Sequence, residues 1–562
     1  MPLMPPDTSN PLIVQGDRTV LLEVDNPRYA EARDALARFA ELEKSPEHFH
    51  TYRISPLSLW NAAAAGMTAA DVLEALGRFT KYDVPSNIQF EVRDFIGRYG
   101  RLRLERRGDD LVLASDDEPL LAEVQRHKLV RPYVVAPLDS RAVAVQADRR
   151  GHVKQALLRI GYPVEDLAGY VAGTPLALAL RDTTLEGRPF ELRPYQREAA
   201  DVFFAGGSAR GGSGVIVLPC GAGKTVVGMA VMARVQAHTL ILCTNITAVR
   251  QWRRELLDKT TLAEDQLGEY SGEAKEIRPV TLATYQILTY RRRKSEAFPH
   301  FGVFNALHWG LLVYDEVHLL PAPVFRVTAE IQACRRLGLT ATLVREDHKE
   351  DDVFSLIGPK RCDVPWKVLE KQGWIATAQC TEIRLPLPDD LRMSYALSSS
   401  RDKFRIASEN PAKQTLVRDL LARHAGDRVL IIGQFLAQLR AIARDVRAPL
   451  ITGSTPNRER ERLYADFRSG RLQTLIVSKV GNFAIDLPDA NVALQVSGTF
   501  GSRQEEAQRL GRILRPKSNG AMAQFYSLVT RDSRDADFAA NRQLFLTEQG
   551  YSYRILDAHE VT

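Results

Sequence analysis

The residues best suited to chemistry lie between Val215 and Gly228, in the sequence VIVLPCGAGKTVVG. An apolar run typical of a buried strand leads into a glycine-rich turn and then into an apolar helix. Backbone N–H groups of such a turn, with the positive end of the helix dipole, bind phosphate oxygens. Lys224 is placed to reach the β- and γ-phosphates, and the Thr225 hydroxyl is placed to ligate Mg²⁺. The segment therefore predicts a nucleoside triphosphate site.

This loop departs from the common phosphate-binding pattern at one position. Leu218 stands where G-x-x-x-x-G-K-[ST] has its first glycine. A Gly-Lys-Thr tripeptide alone also occurs in ordinary strand-to-helix turns, but the flanking apolar strand and helix favour the nucleotide site. The loop residues that we expect at the nucleotide are Leu218, Pro219, Cys220, Gly221, Ala222, Gly223, Lys224 and Thr225.

Two adjacent carboxylates further along the chain support nucleotide hydrolysis. Leu311 to Tyr314 reads as a buried parallel strand, and Asp315-Glu316-Val317-His318 follows it. Ligands of open α/β sheets bind at the carboxyl ends of the strands. Because side chains alternate along a strand, Asp315 is expected to hold Mg²⁺ through water, and Glu316 to act as general base on the attacking water. An isolated Asp-Glu pair is more often a solvated loop, so the prediction depends on the phosphate loop.

A third candidate group lies near the C-terminus, in QRLGRILR. Arg512 and Arg515 are three positions apart, so they share one face of a helix. Brought across a cleft to the phosphate loop, with Gln508 beside them, they would stabilise transition-state charge as arginine fingers. Arginines on a surface helix are common in themselves, and it is the phosphate loop upstream that favours the catalytic interpretation.

Composition indicates an intracellular protein of several domains. The chain has 562 residues, 45% apolar and 26% charged, which is ordinary for globular proteins and suggests about three or four domains. Its five cysteines show no C-x-x-C spacing, so we expect neither disulfides nor a zinc or iron–sulfur site. We find no signal peptide and no apolar run long enough for a bilayer, and we expect a cytoplasmic protein without a membrane partner. The net charge of +6 is compatible with a polyanionic partner.

Strand and helix patterns alternate from Phe190 to the end of the chain, as in parallel doubly wound sheets. One set of apolar strands accompanies the phosphate loop, and a second set begins after the polar, proline-containing stretch 385–411. We therefore expect an α/β protein with two tandem parallel-sheet lobes, at 184–365 and 366–562, and a cleft between them.

Two smaller regions precede the lobes. Helical patterns followed by a hairpin around Leu102 to Leu113 suggest a winged-helix-like α+β module over residues 1–125, which would bind DNA or a protein partner. In this region, Thr68 and Asp71 have the spacing of a helix capping box. A small α/β unit is expected over 126–183. Its basic residues are compatible with a nucleic-acid face or with an ordinary charged surface.

Several motifs in fixed order resemble helicase superfamily 2, and more narrowly the XPB helicase family of DNA-repair and transcription-factor translocases. They are LRPYQ, PCGAGKT, TNITAVRQW, DEVH, LTATLVRED, SKVGNFAIDLPDAN and QRLGRILR, and the resemblance runs from about Phe190 to the C-terminal GYSYRIL. It implies two RecA-like lobes, ATP and Mg²⁺, and ATP-driven 3′–5′ movement on single-stranded or forked DNA in nucleotide excision repair. Arg345-Glu346-Asp347 matches the family's RED motif, implicated in opening duplex DNA, and is our reason for preferring DNA.

The resemblance also implies roles for individual residues. Gln196 matches the adenine-reading glutamine, with Arg193 nearby, and the unit at 126–183 corresponds to a damage-recognition-like domain. A short thumb-like insert is expected near 385–411. The N-terminal region resembles accessory regions of prokaryotic members, so we expect the protein to act in the cytosol or nucleoid. The remaining matched residues are His318, Thr340 and Thr342 for coupling, Gly481 and Asp486 near nucleotide and DNA, and Gln508, Arg512 and Arg515 in the final motif.

Three other functions stay open on the sequence. One is a double-strand DNA translocase that remodels protein–DNA complexes without separating strands. Another is a binding protein whose nucleotide cycle only controls partner docking, although Glu316, Arg512 and Arg515 disfavour it. The third is an RNA helicase, since phosphate contacts do not identify the sugar. A repair nuclease or other repair proteins are the expected protein partners of the DNA helicase.

Overall fold

The computed structural model describes residues 9–561, apart from 45–47, 220, 294–297, 333, 342–349, 365–368, 370–371, 373, 375–377, 479–489, 499–521 and 549–551. Within these ranges the chain forms four sheets with helices packed on them. Among the helices described, none has both the length and the apolar character needed to cross a bilayer.

The first sheet is antiparallel and carries the N-terminal helices. Its strands lie in the order Leu12–Val14, Thr19–Glu23, Phe49–Arg53 and Glu41–Lys44. Every second side chain of Thr19–Glu23 is buried, as expected for a sheet with one face on a core. The helices of this part are Tyr29–Leu36, Pro56–Ala64, Ala69–Phe79 and Ser86–Arg98.

The capping box predicted at Thr68 is confirmed. The Thr68 hydroxyl accepts a hydrogen bond from the Asp71 backbone N–H at 3.2 Å, and the Thr68 N–H donates to the Asp71 carboxylate at 2.7 Å. Both N–H groups would otherwise lack an intrahelical acceptor. The helix Ala69–Phe79 therefore begins where the sequence pattern placed it.

The second sheet has five strands and contains the predicted hairpin. Leu102–Arg107 and Asp110–Ala114 pair antiparallel, as the predicted hairpin requires. The buried strand Ala142–Val145 pairs with Asp110–Ala114, so the sheet continues across the boundary expected at 125/126. The strand order is Val134–Asp139, Ala142–Val145, Asp110–Ala114, Leu102–Arg107 and Val164–Asp166, with helices Glu118–Arg126 and Arg150–Arg159.

The third sheet, which we call the lobe 1 sheet, has seven parallel strands. The strands facing helices on both sides are apolar and buried along their whole length, as in Ser213–Val217 and Val280–Thr284. The order is Leu267–Tyr270, Val280–Thr284, Thr239–Cys243, Leu311–Asp315, Arg335–Thr340, Ser213–Val217 and Lys360–Asp363. Its helices are Pro194–Phe204, Lys224–Val235, Ile246–Lys259, Tyr285–Leu288, Ala322–Glu330 and Glu350–Asp352.

The fourth sheet, the lobe 2 sheet, repeats this architecture with seven parallel strands, as the sequence predicts. Two of its helices, Asp389–Leu397 and Ser400–Ser408, lie in the stretch expected to hold the thumb-like insert. The strand order is Leu450–Ile451, Thr474–Ser478, Val429–Gly433, Val492–Gln495, Ala523–Thr530, Ala378–Leu385 and Ser552–Asp557. The other helices are Ala412–Arg423, Leu436–Asp445, Asn457–Arg468 and Arg534–Glu548.

The helix Arg150–Arg159 joins the five-stranded sheet to lobe 1 through very close packing. A Cβ placed on Gly151 would lie 2.5 Å from the backbone oxygen of Ala329 in lobe 1, so only glycine permits this approach. Next to it, Asp166 accepts hydrogen bonds from Arg150 at 2.6 Å and from Lys154 at 3.1 Å. Lys154 also donates to the Gln332 side chain of lobe 1 at 3.0 Å. A buried charge cluster thus spans the two units.

Burial dominates the electrostatics of this junction. It lowers the pKa of Lys154 to about 7, although the negative charge of Asp166 partly offsets this effect. Burial alone would raise the pKa of Asp166, but Lys154 and Arg150 more than compensate and hold it below its usual range. Asp166 therefore stays ionised, and its charge is what makes the two buried cations tolerable.

We expect Asp166→Asn to destabilise this junction by about 3 to 5 kcal/mol, because it leaves buried cations without their counter-ion. Thermal and urea unfolding of the full chain should show an earlier transition. Asp116→Asn is the matched control: Asp116 pairs with Arg103 at 2.9 Å but its side chain is 78% exposed. Solvent screens that pair, so the control should leave the transition unchanged. Equal transitions for both variants would contradict a stabilising role for Asp166.

Candidate functional site

The phosphate loop lies at the carboxyl end of the strand Ser213–Val217 and leads into the helix Lys224–Val235. Gly221 and Gly223 both have φ of +81°, in the left-handed region that favours glycine. The Leu218 N–H donates to the carbonyl of Thr340 at 2.9 Å, which attaches the start of the loop to the neighbouring strand. The tight turn expected from the glycines is therefore present, although Leu218 occupies the position of the first one.

The LRPYQ segment packs directly on this loop. Gln196 Nε2 and the Tyr195 hydroxyl both donate to the carbonyl oxygen of Ala222, at 2.9 and 2.7 Å. A Cβ on Gly223 would lie 2.6 Å from Gln196 Nε2, so the glycine is also needed for this contact. The Gln196 side-chain oxygen accepts the backbone N–H of Arg193 at 3.1 Å. The predicted base-reading residues and the predicted phosphate residues thus form one connected unit.

Lys224 and Glu316 form an ion pair between the phosphate loop and the DEVH box, residues 315–318. Both side chains are nearly buried, at 14% and 11% exposed, so the pair is only weakly screened by water. Glu316 has φ of +51°, uncommon for a residue other than glycine. This backbone conformation ends the strand Leu311–Asp315 and turns the Glu316 side chain towards Lys224.

Asp315 has different neighbours from Glu316, as the alternation of the strand predicts. Its carboxylate accepts a hydrogen bond from the Trp252 indole N–H at 3.1 Å, and its carbonyl accepts the Tyr285 hydroxyl at 2.9 Å. Burial, and then the negative charge of Glu316, raise the pKa of Asp315 to about 6, while Lys224 and the Trp252 indole oppose this shift. A negative charge on Asp315 is therefore costly unless a cation balances it.

His318 links the DEVH box to the strand Arg335–Thr340. Its Nδ1 atom lies within hydrogen-bonding distance of the Thr340 hydroxyl and 3.6 Å from the Glu316 carboxylate. Both His318 and Thr340 are buried, at 4% and 0% exposed. Two of the three residues that the family resemblance assigns to coupling are therefore in contact with each other and next to the general-base candidate.

The predicted site residues fall into two groups. The structure brings together Arg193, Gln196, Lys224, Asp315 and Glu316, with His318 and Thr340 beside them; Thr225 is the second residue of the phosphate-loop helix. The other group lies outside the described residues, and its expected roles stay predictions. It consists of Cys220, Thr342, Arg345, Glu346, Asp347, Gly481, Asp486, Gln508, Arg512 and Arg515.

Sequence reasoning did not single out Trp252 or Tyr195. Trp252 lies within TNITAVRQW, and its indole is 1% exposed and reaches Asp315 from the helix Ile246–Lys259. A buried tryptophan needs a partner for its N–H, which was a usable signal. Tyr195 is next to Gln196 in LRPYQ, but nothing in the local pattern identifies Ala222 as the acceptor of its hydroxyl.

We expect Gly228→Ala to disturb the site through Trp252. A Cβ at Gly228 would lie 2.5 Å from the buried Trp252 ring, so the ring must shift to make room for it. Overpacking costs about 1 to 3 kcal/mol, more than the about 1 kcal/mol that alanine gains over glycine inside a helix. The variant should unfold at a lower denaturant concentration and turn over nucleotide more slowly, because Trp252 moves away from Asp315.

Gly77→Ala is the matched control for this substitution. Gly77 lies in the helix Ala69–Phe79 and has open space within 4 Å of the added Cβ. Helix propensity then acts alone and should stabilise the protein by about 0.5 to 1 kcal/mol. If Gly228→Ala were also stabilising with full turnover, the packing of Trp252 against Gly228 would not matter for the site.

Comparison with protein-family models divides the chain into three matched segments. Residues 12–139 match a helicase conserved C-terminal domain, residues 189–345 match the res subunit of type III restriction enzymes, and residues 369–562 match the ERCC3/RAD25/XPB C-terminal helicase. The second and third segments cover most of the two parallel sheets.

Similar proteins align over nearly the whole chain. DNA 3′-5′ helicase XPB of Kineococcus radiotolerans is 55% identical, over 99% of this chain and 98% of its own length. The protein of the same name from Mycobacterium tuberculosis is 56% identical, over 99% of both chains. The general transcription and DNA repair factor IIH helicase/translocase subunit XPB/SSL2 of Saccharomyces cerevisiae is 31% identical, over 99% of this chain and 73% of its own length. With the phosphate loop and the DEVH box in contact and this identity throughout, the chain belongs to the XPB family of DNA 3′-5′ helicases.

Proposed function

We propose that this protein hydrolyses ATP with Mg²⁺ to move 3′ to 5′ on DNA and to open duplexes during nucleotide excision repair. The observation that carries the proposal is the ion pair between Lys224 of the phosphate loop and Glu316 of the DEVH box. This pair supports the proposal, because an ammonium group suited to binding phosphate lies next to a carboxylate suited to activating water, at the carboxyl ends of the lobe 1 strands. The family's printed activity, DNA 3′-5′ helicase, supports the choice of track and polarity.

Lys224 and Glu316 would exchange partners when a nucleotide binds. Terminal phosphate oxygens carry more negative charge than one carboxylate, so they compete for the Lys224 ammonium group. Glu316 is then released to accept a proton from the attacking water. Tyr195 and Gln196 hold the Ala222 carbonyl, which keeps the loop's N–H groups directed at the phosphates.

The Asp315 carboxylate is suited to holding a magnesium ion through water. Its raised pKa means that a nearby cation would stabilise the ionised form. In the part of the chain that the structure describes, no group of three or more His, Cys, Asp or Glu side chains is arranged to hold a metal. Mg²⁺ would neutralise charge on the β- and γ-phosphates, with the Thr225 hydroxyl and Asp315 on its protein side.

His318 and Thr340 are proposed to couple ATP hydrolysis at this site to movement of the DNA strand. Thr340 contacts His318 through its hydroxyl and Leu218 through its carbonyl, so it senses both sides of the nucleotide. From the second lobe, Gln508, Arg512 and Arg515 would close on the phosphates, with Gly481 and Asp486 beside them, by analogy with the family. Lobe closure and opening then convert hydrolysis into movement along the strand.

The proposed setting is the bacterial cytosol or nucleoid, with single-stranded or forked DNA as the track. A repair nuclease or another repair protein is proposed as a partner, because an opened duplex must be cut or copied by another enzyme. The S. cerevisiae relative is printed as a subunit of a transcription and repair factor, which supports a role within a larger assembly. The regions 1–125 and 126–183 are proposed as the accessory and damage-recognition-like domains, with the five-stranded sheet shared between them.

We expect Glu316→Gln to bind ATP normally and to lower turnover by about 10²- to 10⁴-fold, since it removes the general base. Lys224→Ala should weaken ATP binding as well. Turnover should be measured without polymer and with single-stranded DNA, duplex DNA and RNA, and DNA should stimulate it most. Glu273→Gln, an exposed partner of Arg250, is the matched control and should behave like wild type. DNA-independent turnover would favour the nucleotide-switched binding protein.

Arg345→Ala and Asp347→Ala should reduce strand separation more than they reduce DNA-stimulated ATP turnover. The reason is that the RED motif is expected to act on the duplex rather than on the nucleotide. Strand-displacement and triplex-displacement assays should be run in parallel, with Lys224→Ala as the reference that loses both. If wild type displaces triplexes but never separates strands, the protein is the double-strand translocase instead.

A further inference from the structure

Trp374 lies on the connection between the two parallel-sheet lobes. The last strand of the lobe 1 sheet ends at Asp363, and the lobe 2 sheet begins at Ala378. The backbone N–H of Trp374 donates to the backbone carbonyl of Leu369 at 2.9 Å, and the Trp374 side chain packs on the core that contains the buried Leu369. Trp374 is therefore anchored to the protein core at the point where the chain passes from one lobe to the other.

The Trp374 ring contacts Arg193, a residue already placed at the nucleotide site. The guanidinium carbon of Arg193 lies 4.5 Å from the centre of the ring, well inside the range of a cation–π interaction. The guanidinium also donates to the Tyr195 hydroxyl at 3.1 Å. Two contacts of different kinds therefore fix the orientation of a side chain that would otherwise rotate freely.

From Arg193 the contacts continue without a break to the phosphate loop. Its backbone N–H donates to Gln196, and Gln196 and Tyr195 both donate to the Ala222 carbonyl. Each link is a direct hydrogen bond between 2.7 and 3.1 Å. Trp374 is thus connected to the nucleotide site through Arg193, Tyr195 and Gln196.

Arginine chemistry suggests what the other face of this guanidinium would contact. The group is planar, its carbon lies over the Trp374 ring, and Arg193 as a whole is only half-buried. Nucleobases stack on guanidinium planes as they do on aromatic rings. Because Gln196 and the phosphate loop are adjacent, the position suits the base of a nucleotide whose phosphates lie on Ala222 to Lys224.

We propose that Trp374 is a positioning residue for the purine base: it holds the Arg193 guanidinium over its ring, so that the opposite face stacks on the base of bound ATP. The inference rests on the proposed ATPase function and adds the residue that sets base affinity. It also gives the inter-lobe connection a direct contact with the occupied nucleotide site.

The test compares a ligand that has the base with one that lacks it, in the full-length protein with saturating single-stranded DNA. Trp374→Leu should raise KM for ATP by about 2- to 10-fold, the range that a cation–π contact represents, with kcat nearly unchanged. Inhibition by inorganic tripolyphosphate, which has no base, should be unchanged. Trp374→Phe keeps an aromatic face and should restore KM.

Controls separate this role from a general packing defect. Arg197→Leu is the matched substitution for Arg193, because Arg197 lies on the helix that Arg193 precedes, is exposed and pairs with Glu191 at 3.4 Å. This control should leave KM for ATP unchanged. Arg193→Leu combined with Trp374→Leu should be no worse than Arg193→Leu alone, because Trp374 acts on the base only through Arg193. Additive effects of the two substitutions would overturn the proposal.

Three further outcomes bear on the proposal. If Trp374→Leu leaves KM for ATP at the wild-type value, or weakens tripolyphosphate as much as ATP, Trp374 does not position the base. If Trp374→Leu fails to fold, Arg193→Lys carries the test, because it keeps the charge and loses the planar face; it should weaken ATP but not tripolyphosphate. A wild-type protein without ATP turnover would instead overturn the proposed function itself.

Discussion

One strand constrains the whole nucleotide site. Arg335–Thr340 lies between the strand that leads into the phosphate loop and the strand that ends in the DEVH box, and it pairs in parallel with both. Because all three strands run in the same direction, their functional ends meet at one edge of the sheet. Thr340, the last residue of the central strand, contacts Leu218 on one side and His318 on the other. A shift at this end must therefore alter both halves of the site.

The accessory units are built onto this same lobe through contacts that leave little freedom. Gly151 permits backbone approach between the five-stranded sheet's helix and Ala329, and Asp166 balances buried cations beside it. The N-terminal region contacts the edge strand Lys360–Asp363 of the lobe 1 sheet. There the Lys360 backbone N–H donates to the Asn61 side chain at 2.9 Å. The lobe that holds the phosphate loop thus serves as the platform for the upstream regions.

Sequence reasoning was most successful where function depends on a short run of the backbone. The glycine-rich turn and the carboxylates after the strand Leu311–Asp315 are local features, and the structure has them in the expected elements. It was less successful for the surroundings of the upstream hairpin. The apolar strand Asp110–Ala114 of this hairpin pairs with Ala142–Val145, a partner that local patterning does not identify.

The sequence by itself determined the two α/β lobes, the phosphate loop and the DEVH box. Hydrophobic periodicity indicates which faces of the helices and strands are buried, and turn residues indicate where the backbone changes direction. Only the tertiary structure decided that Trp252 reaches Asp315, that Arg193 lies on Trp374, and that Lys154 shares Asp166 with a second cation. Those contacts join residues far apart in the chain. Their partners are selected by packing in three dimensions, where burial makes an unpaired charge or N–H costly, and no local pattern carries that information.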